Sequence, residues 1–73
     1  MTRDEWISAF AEAAGIAPPT EEEVETLLEL AGVAAHASER TAAPITCWLA
    51  ARAGMPPGDA LRLASALGDD AGR

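Results

Sequence analysis

The sequence predicts an all-α fold, a compact four-helix domain built of two antiparallel helical hairpins. Two observations lead there. Thr2 with Glu5, and Thr20 with Glu23, have the T-x-x-E spacing of a capping box. Gly15 before Pro18-Pro19, and Gly54 before Pro56-Pro57, separate runs whose apolar residues recur at helical spacing.

The first helix starts after Thr2 and carries Trp6, Ile7, Phe10, Ala11 and Ala14 as one apolar stripe. Gly15 ends it, because glycine enters the left-handed region at little cost, and Pro18-Pro19 keeps the chain from resuming a helix early. The second helix starts after Thr20. Its first turn holds Glu21, Glu22 and Glu23, which the positive end of the helix dipole favours. Val24, Leu27, Leu28, Ala31, Ala34 and Ala35 are its expected buried face, and it runs out near Ser38–Arg40. Gly32 weakens this helix by about 1 kcal/mol relative to alanine, and a close helix contact there would explain it. The third helix is expected from Pro44 at its first position to about Ala53, with Gly54 as stop. It is apolar nearly all round, as a buried or shared helix is. The fourth opens at Pro56-Pro57-Gly58, turns Leu61, Ala64 and Leu67 inward, and stops at Gly68. Residues 10–32 and 48–68 share an order of aromatic, small residues, glycine, apolar residue, proline pair and amphipathic helix, a weak sign of internal duplication.

Seventy-three residues make one domain, expected over residues 1–68 with a disordered tail over 69–73. A chain this short buries about 60% of its unfolded surface, so its core is marginal without reinforcement. Cys47 is the sole cysteine, which rules out an intrachain disulfide. One cysteine and one histidine cannot supply a four-ligand Cys/His site, so neither a metal nor a cofactor is expected. The charged start lacks a secretory apolar run, and no stretch approaches the roughly 18 apolar residues that span a bilayer. A cytoplasmic protein with no membrane contact is expected, its thiol reduced.

The formal charge is −7 and is unevenly spread. Residues 1–30 set Arg3 against eight acids, while residues 31–73 set four arginines against four acids. An acidic front half repels phosphate backbones, so nucleic acid is not an expected partner. The stretch LAARAGMPPGDALRLASAL has the outline of a DNA-binding helix-turn-helix, a lesser alternative. Its second helix carries Arg62 as its one base, with Asp59 near its start. An acidic four-helix carrier protein is also excluded. Ser8, Ser38 and Ser65 lie in ISA, ASE and ASA contexts, none of which is the Asp-Ser-Leu attachment sequence.

Directional polar groups concentrate in Val33–Thr46, VAAHASERTAAPIT. His36 sits three and four residues before Glu39 and Arg40, within reach on one helix face. One reading is a small polar site, with His36 as donor or proton carrier, Arg40 as anion clamp and Thr46 adding a hydroxyl. The structural alternative is a hydrogen-bonded knot across the turn. In it Glu39 caps the free N–H groups of the third helix, and Arg40 bonds the last carbonyls of the second. No second activated group accompanies His36, so no catalytic residue is assigned. Cys47 reads as a small apolar filler, and Trp6, Phe10 and Trp48 are expected to meet in the core.

The segment VAAHASERTAAPITCWLA resembles the signature V-A-H-x-x-E-R-x-x-A-P-x-T-x-F-L. That signature marks a small actinobacterial domain of unknown function, found alone or fused to molybdenum cofactor guanylyltransferase. Glu39, Arg40, Ala43, Pro44, Thr46 and Leu49 match, and Trp48 stands at the aromatic position. His36 matches with one additional alanine before it. The resemblance extends over nearly the whole chain and implies a setting near molybdenum-enzyme maturation, without implying a catalytic activity. It gives the expectation of a non-catalytic interaction module whose protein partner is that guanylyltransferase or its client oxidoreductase. His36, Glu39, Arg40 and Thr46 are the expected binding residues, with Pro44 fixing the turn. The alternative is an anion, nucleotide or pterin-fragment site at Arg40 and His36. The apolar second face of the third helix adds the expectation of a homodimer.

Overall fold

A computed structural model describes residues 1–71. Both capping boxes form. The Thr2 N–H donates to Glu5 Oε1 at 3.0 Å and the Glu5 N–H to Thr2 Oγ1 at 3.1 Å. At Thr20 and Glu23 the same pair of bonds measures 2.7 and 3.1 Å. These caps start helix α1, Arg3–Ala14, and helix α2, Glu21–Ala37. Helix α3 spans Ala42–Arg52 and helix α4 spans Pro57–Ala71. The all-α four-helix expectation therefore holds.

The two glycine stops are built alike. Gly15 has φ 76° and Gly54 has φ 73°. After each, the next N–H reaches back five residues, Ile16 to the Ala11 carbonyl and Met55 to the Ala50 carbonyl, both at 3.0 Å. This is the Schellman arrangement, which pairs the carbonyls a helix end leaves free. Gly68, expected as a third stop, lies instead within α4. A Cβ placed on it would sit in ordinary contact with α2, 3.6 Å from the Ala37 Cβ and 3.9 Å from a Val33 methyl, so the position faces α2 with room for an alanine. α4 then continues to Ala71. Residues 72 and 73, the end of the expected disordered tail, lie outside the described residues.

α2 is the hub. It packs against both α3 and α4, and no other helix pair packs to a comparable extent. The Cα radius of gyration is 13.0 Å, against about 11 Å for a globule of this length. Among the described residues, Leu30 on α2 is the one large side chain fully closed off from water. It was not on the expected face. Leu28, which was, is 53% exposed. The inward side of α2 is rotated toward Leu27, Leu30 and Ala34 because α3 and α4 approach this one helix together. On α4 the inward line is Pro57, Ala60, Leu61, Ala64 and Gly68, and Leu67, expected inward, is mostly exposed at the edge of a hollow between α2, α3 and α4. The contacts are made mostly by small residues, so the helices come close while burying little area.

The three aromatic rings do not meet in a core. Trp6, Phe10 and Trp48 are 61%, 65% and 59% exposed. Trp6 and Phe10 touch each other, with centroids 6.4 Å apart, and Trp48 lies instead under the Arg52 guanidinium at 5.2 Å. α3 has no buried residue, so of its two expected placements, buried or shared, the buried one does not hold within the chain.

Leu30→Ala is expected to destabilise the chain by about 2–5 kcal/mol in denaturant unfolding, and Leu28→Ala by about 0.5–1 kcal/mol. Equal losses would contradict this core. Glu5 offers a second check. Bonds from the Thr2 backbone and hydroxyl hold its carboxyl below its ordinary value of 4.5. A lowered carboxylate stabilises the fold above its unfolded pKa and loses that contribution as pH falls through the folded one. A carboxyl-carbon NMR titration of Glu5 should have its midpoint below 4.5, and Glu5→Gln should flatten the acid loss of α1 helicity. A midpoint at or above that value would show the cap open in solution.

Candidate functional site

The segment that sequence singles out, Val33–Thr46, begins in the last turns of α2. The Ser38 N–H donates to the Ala34 carbonyl at 3.1 Å, closing the last turn. The chain then turns through Glu39 to Thr41. α3 starts two residues earlier than expected, at Ala42, which puts Pro44 third in the helix rather than first. That position suits proline for the same reason, because its missing N–H would have had no partner within the helix. The free N–H groups of Ala42 and Ala43 are taken up by backbone, donating to the carbonyls of Glu39 at 2.9 Å and Arg40 at 3.2 Å.

Those two bonds displace the expected knot. Among the described residues, the side chains of His36, Glu39, Arg40 and Thr46 make no hydrogen bond and no ion pair. His36, Glu39 and Arg40 are exposed, and Thr46 is half-buried. The turn is held by main chain alone, because consecutive tight turns let its own carbonyls reach the helix start. The Glu39 carboxylate and the Arg40 guanidinium are not needed as caps and stand in water.

The structure sorts the four residues into different places. His36 lines a groove of about 680 Å³ between α2 and α4, with Glu29, Gly32, Val33 and Ala37 on one wall and Ser65, Gly68 and Asp69 on the other. Thr46 lines a neighbouring hollow of about 240 Å³ where α2, α3 and α4 converge. Val33, Ala37 and Gly68 line both and form the ridge between them. Glu39 and Arg40 line neither. The groove is rimmed by one imidazole, two carboxylates and one hydroxyl over a floor of small apolar residues. Such a surface can grip a chain segment or side chain by shape and hydrogen bonds. It holds no paired nucleophile and base. Among the described residues, no three His, Cys, Asp or Glu side chains gather to hold a metal ion, and no helix is long and apolar enough to cross a membrane. Cys47 is half-buried.

Gly32 is the groove residue whose role the sequence misassigned. A Cβ built on it meets nothing within 4 Å, so no helix presses on it. Its absent side chain leaves the groove open at the cost of helix stability. The signal was present in the sequence as a glycine inside a helix with no proline after it, unlike Gly15 and Gly54. On α4, Arg62 is ion-paired to Asp59 one turn earlier, which offsets the one basic group of the supposed recognition helix. Gly32→Ala is expected to raise unfolding stability by up to about 1 kcal/mol in denaturant titration. A loss instead would mean that a neighbour closes on this position.

No curated protein and no solved structure matches the chain. The model of a family described as a domain of unknown function, DUF6457, matches residues 1–71, nearly the whole chain. The chain therefore belongs to that family.

Proposed function

We propose that this domain is a non-catalytic protein-interaction module. The observation that carries the reading is an imbalance of surface. Leu30 is the one large side chain fully buried, while ten large apolar residues among those described are about half exposed or more. Scattered single exposures need no explanation, but a small chain that leaves both tryptophans and its one phenylalanine in water has surface to give to a partner. The acidic α1 and α2 would steer encounter with a basic protein surface.

The α2–α4 groove is the proposed docking place for a foreign segment, with His36, Ser65 and the flanking carboxylates supplying direction. Arg40 and Glu39, free at the adjacent turn, would form its polar rim. On the resemblance of the VAAHASERTAAPITCWLA segment, the proposed partner is molybdenum cofactor guanylyltransferase or its client oxidoreductase, and the proposed setting is the cytoplasm of an actinobacterium. The exposed stripe of α3 is proposed for self-association.

A pull-down with the purified guanylyltransferase tests this reading. Gly32→Leu should fold, because nothing lies near the new Cβ, and should bind at least about tenfold more weakly, a loss of roughly 1.4 kcal/mol. Arg40→Ala should weaken capture less and leave the unfolding midpoint within about 0.5 kcal/mol of the parent. Equal capture by parent and Gly32→Leu would remove the groove from the account. An Arg40→Ala chain that unfolds would return Arg40 to a structural role.

A further inference from the structure

The groove between α2 and α4 is rimmed by fixed charge of one sign. On α2 it is lined by Glu29, Gly32 and His36, at i, i+3 and i+7, and on α4 by Ser65, Gly68 and Asp69, at i, i+3 and i+4. Glu29 and Asp69 are exposed, and among the described residues neither is in an ion pair. The same line of α2 continues toward the helix start through Glu25 and Glu22. The same line of α4 continues to Arg62, but that guanidinium is paired to Asp59, which offsets its charge. Arg40, past the end of α2, does not line the groove and has Glu39 beside it in the chain. Between the two carboxylates the floor is low and apolar. A Cβ on Gly32 would meet nothing within 4 Å, and Val33, Ala37 and Gly68 complete the floor.

We infer that this groove takes a segment of a partner protein that carries an arginine or lysine beside a small apolar residue. The inference rests on the α2–α4 groove as the docking place and names what docks there. The aliphatic stem of the basic side chain lies along the apolar floor, and its cationic head reaches Glu29 on one wall or Asp69 on the other. His36 and Ser65 are left to hydrogen-bond the backbone of the segment. A purely apolar segment leaves both carboxylates without a counter-charge, and an acidic or phosphate-bearing one is repelled by them. A second copy of this chain is disfavoured as occupant. It brings a formal −7, and groove against groove sets Glu29 and Asp69 against like charge.

Fluorescence anisotropy on the full chain tests this with three labelled peptides. One is built of alanine, leucine and arginine, and its twins carry glutamine or glutamate at each arginine. The arginine peptide should bind and shift the amide NMR signals of residues 29–37 and 65–69, and the glutamine twin should bind about fivefold more weakly or worse. Glu29→Lys and Glu12→Lys change the net charge equally, but Glu12 lies on α1 and lines no part of the groove. Glu29→Lys should weaken the arginine peptide by about fivefold or more, and Glu12→Lys by less than about twofold. Glu29→Lys combined with Asp69→Lys should prefer the glutamate twin. Circular dichroism follows the fold, and if Glu29→Lys loses helicity, Glu29→Gln takes its place with a loss of about twofold or more. Equal binding of the arginine and glutamine peptides overturns the inference. So do equal losses in Glu29→Lys and Glu12→Lys, or amide shifts that bypass the groove. Capture of the guanylyltransferase that Gly32→Leu weakens and Glu29→Lys does not would sink this inference alone. An arginine peptide seated in the groove, with no capture of that enzyme, would sink the named partner alone.

Discussion

Everything in this fold hangs on α2, and within α2 on the closure of Leu30 from water. Both α3 and α4 pack on this one helix, and no other pair of helices packs comparably. Around Leu30 the inward positions mix Leu27, Pro57 and Leu61 with Ala34, Ala60, Ala64 and Gly68, and Gly68 faces Ala37 and Val33 of α2. Small residues bring backbones close but remove little apolar area from water. At about 25 cal/mol per Å² such contacts contribute modestly, and conformational entropy opposes folding at about 1–2 kcal/mol per residue. The chain orders its helices with local devices, two capping boxes and two Schellman turns, and leaves many of its large apolar side chains outward.

That division also explains the placement of the polar groups. The turn between α2 and α3 satisfies its own N–H groups with its own carbonyls. His36, Glu39 and Arg40 are released from structural duty and stand at the surface, close to a groove held open by Gly32. Surface of this kind is what the proposed interaction role would use. A proton-transfer site would need a second positioned group and exclusion of water. The glycine that weakens α2 is the same residue that leaves space above it, so stability and open surface trade against each other at one position.

Legibility in the sequence followed the range of the interaction. Thr2 with Glu5, Thr20 with Glu23, and the stops at Gly15 and Gly54 were all readable, because each depends on residues within a few positions of one another. Gly15 and Gly54 are followed by proline pairs, while Gly32 and Gly68 are not and lie inside helices, a difference that the expected stop at Gly68 passed over. Burial was not readable in the same way. In an alanine-rich helix several faces are apolar, and choosing Leu30 over Leu28 requires knowing that α3 and α4 both come to α2. The aromatic rings misled for a related reason. Large apolar residues normally fill a core, and here the core is built from small ones. The knot at the turn failed because backbone carbonyls, which no side-chain pattern reveals, reached the helix start first. The sequence placed His36 and Thr46 near one another, and the structure sets them in adjoining grooves on either side of a ridge.

The single chain leaves Trp6, Phe10, Trp48 and other large apolar side chains in water, and the proposed self-association would cover part of that surface. The most direct measurement is the thermal midpoint of the 73-residue chain over a hundredfold range of protein concentration. Coupling of folding to association requires the midpoint to climb steadily as concentration rises. A midpoint that stays fixed across the whole range would mean that the four helices hold together unaided, with Trp6, Phe10 and Trp48 in water.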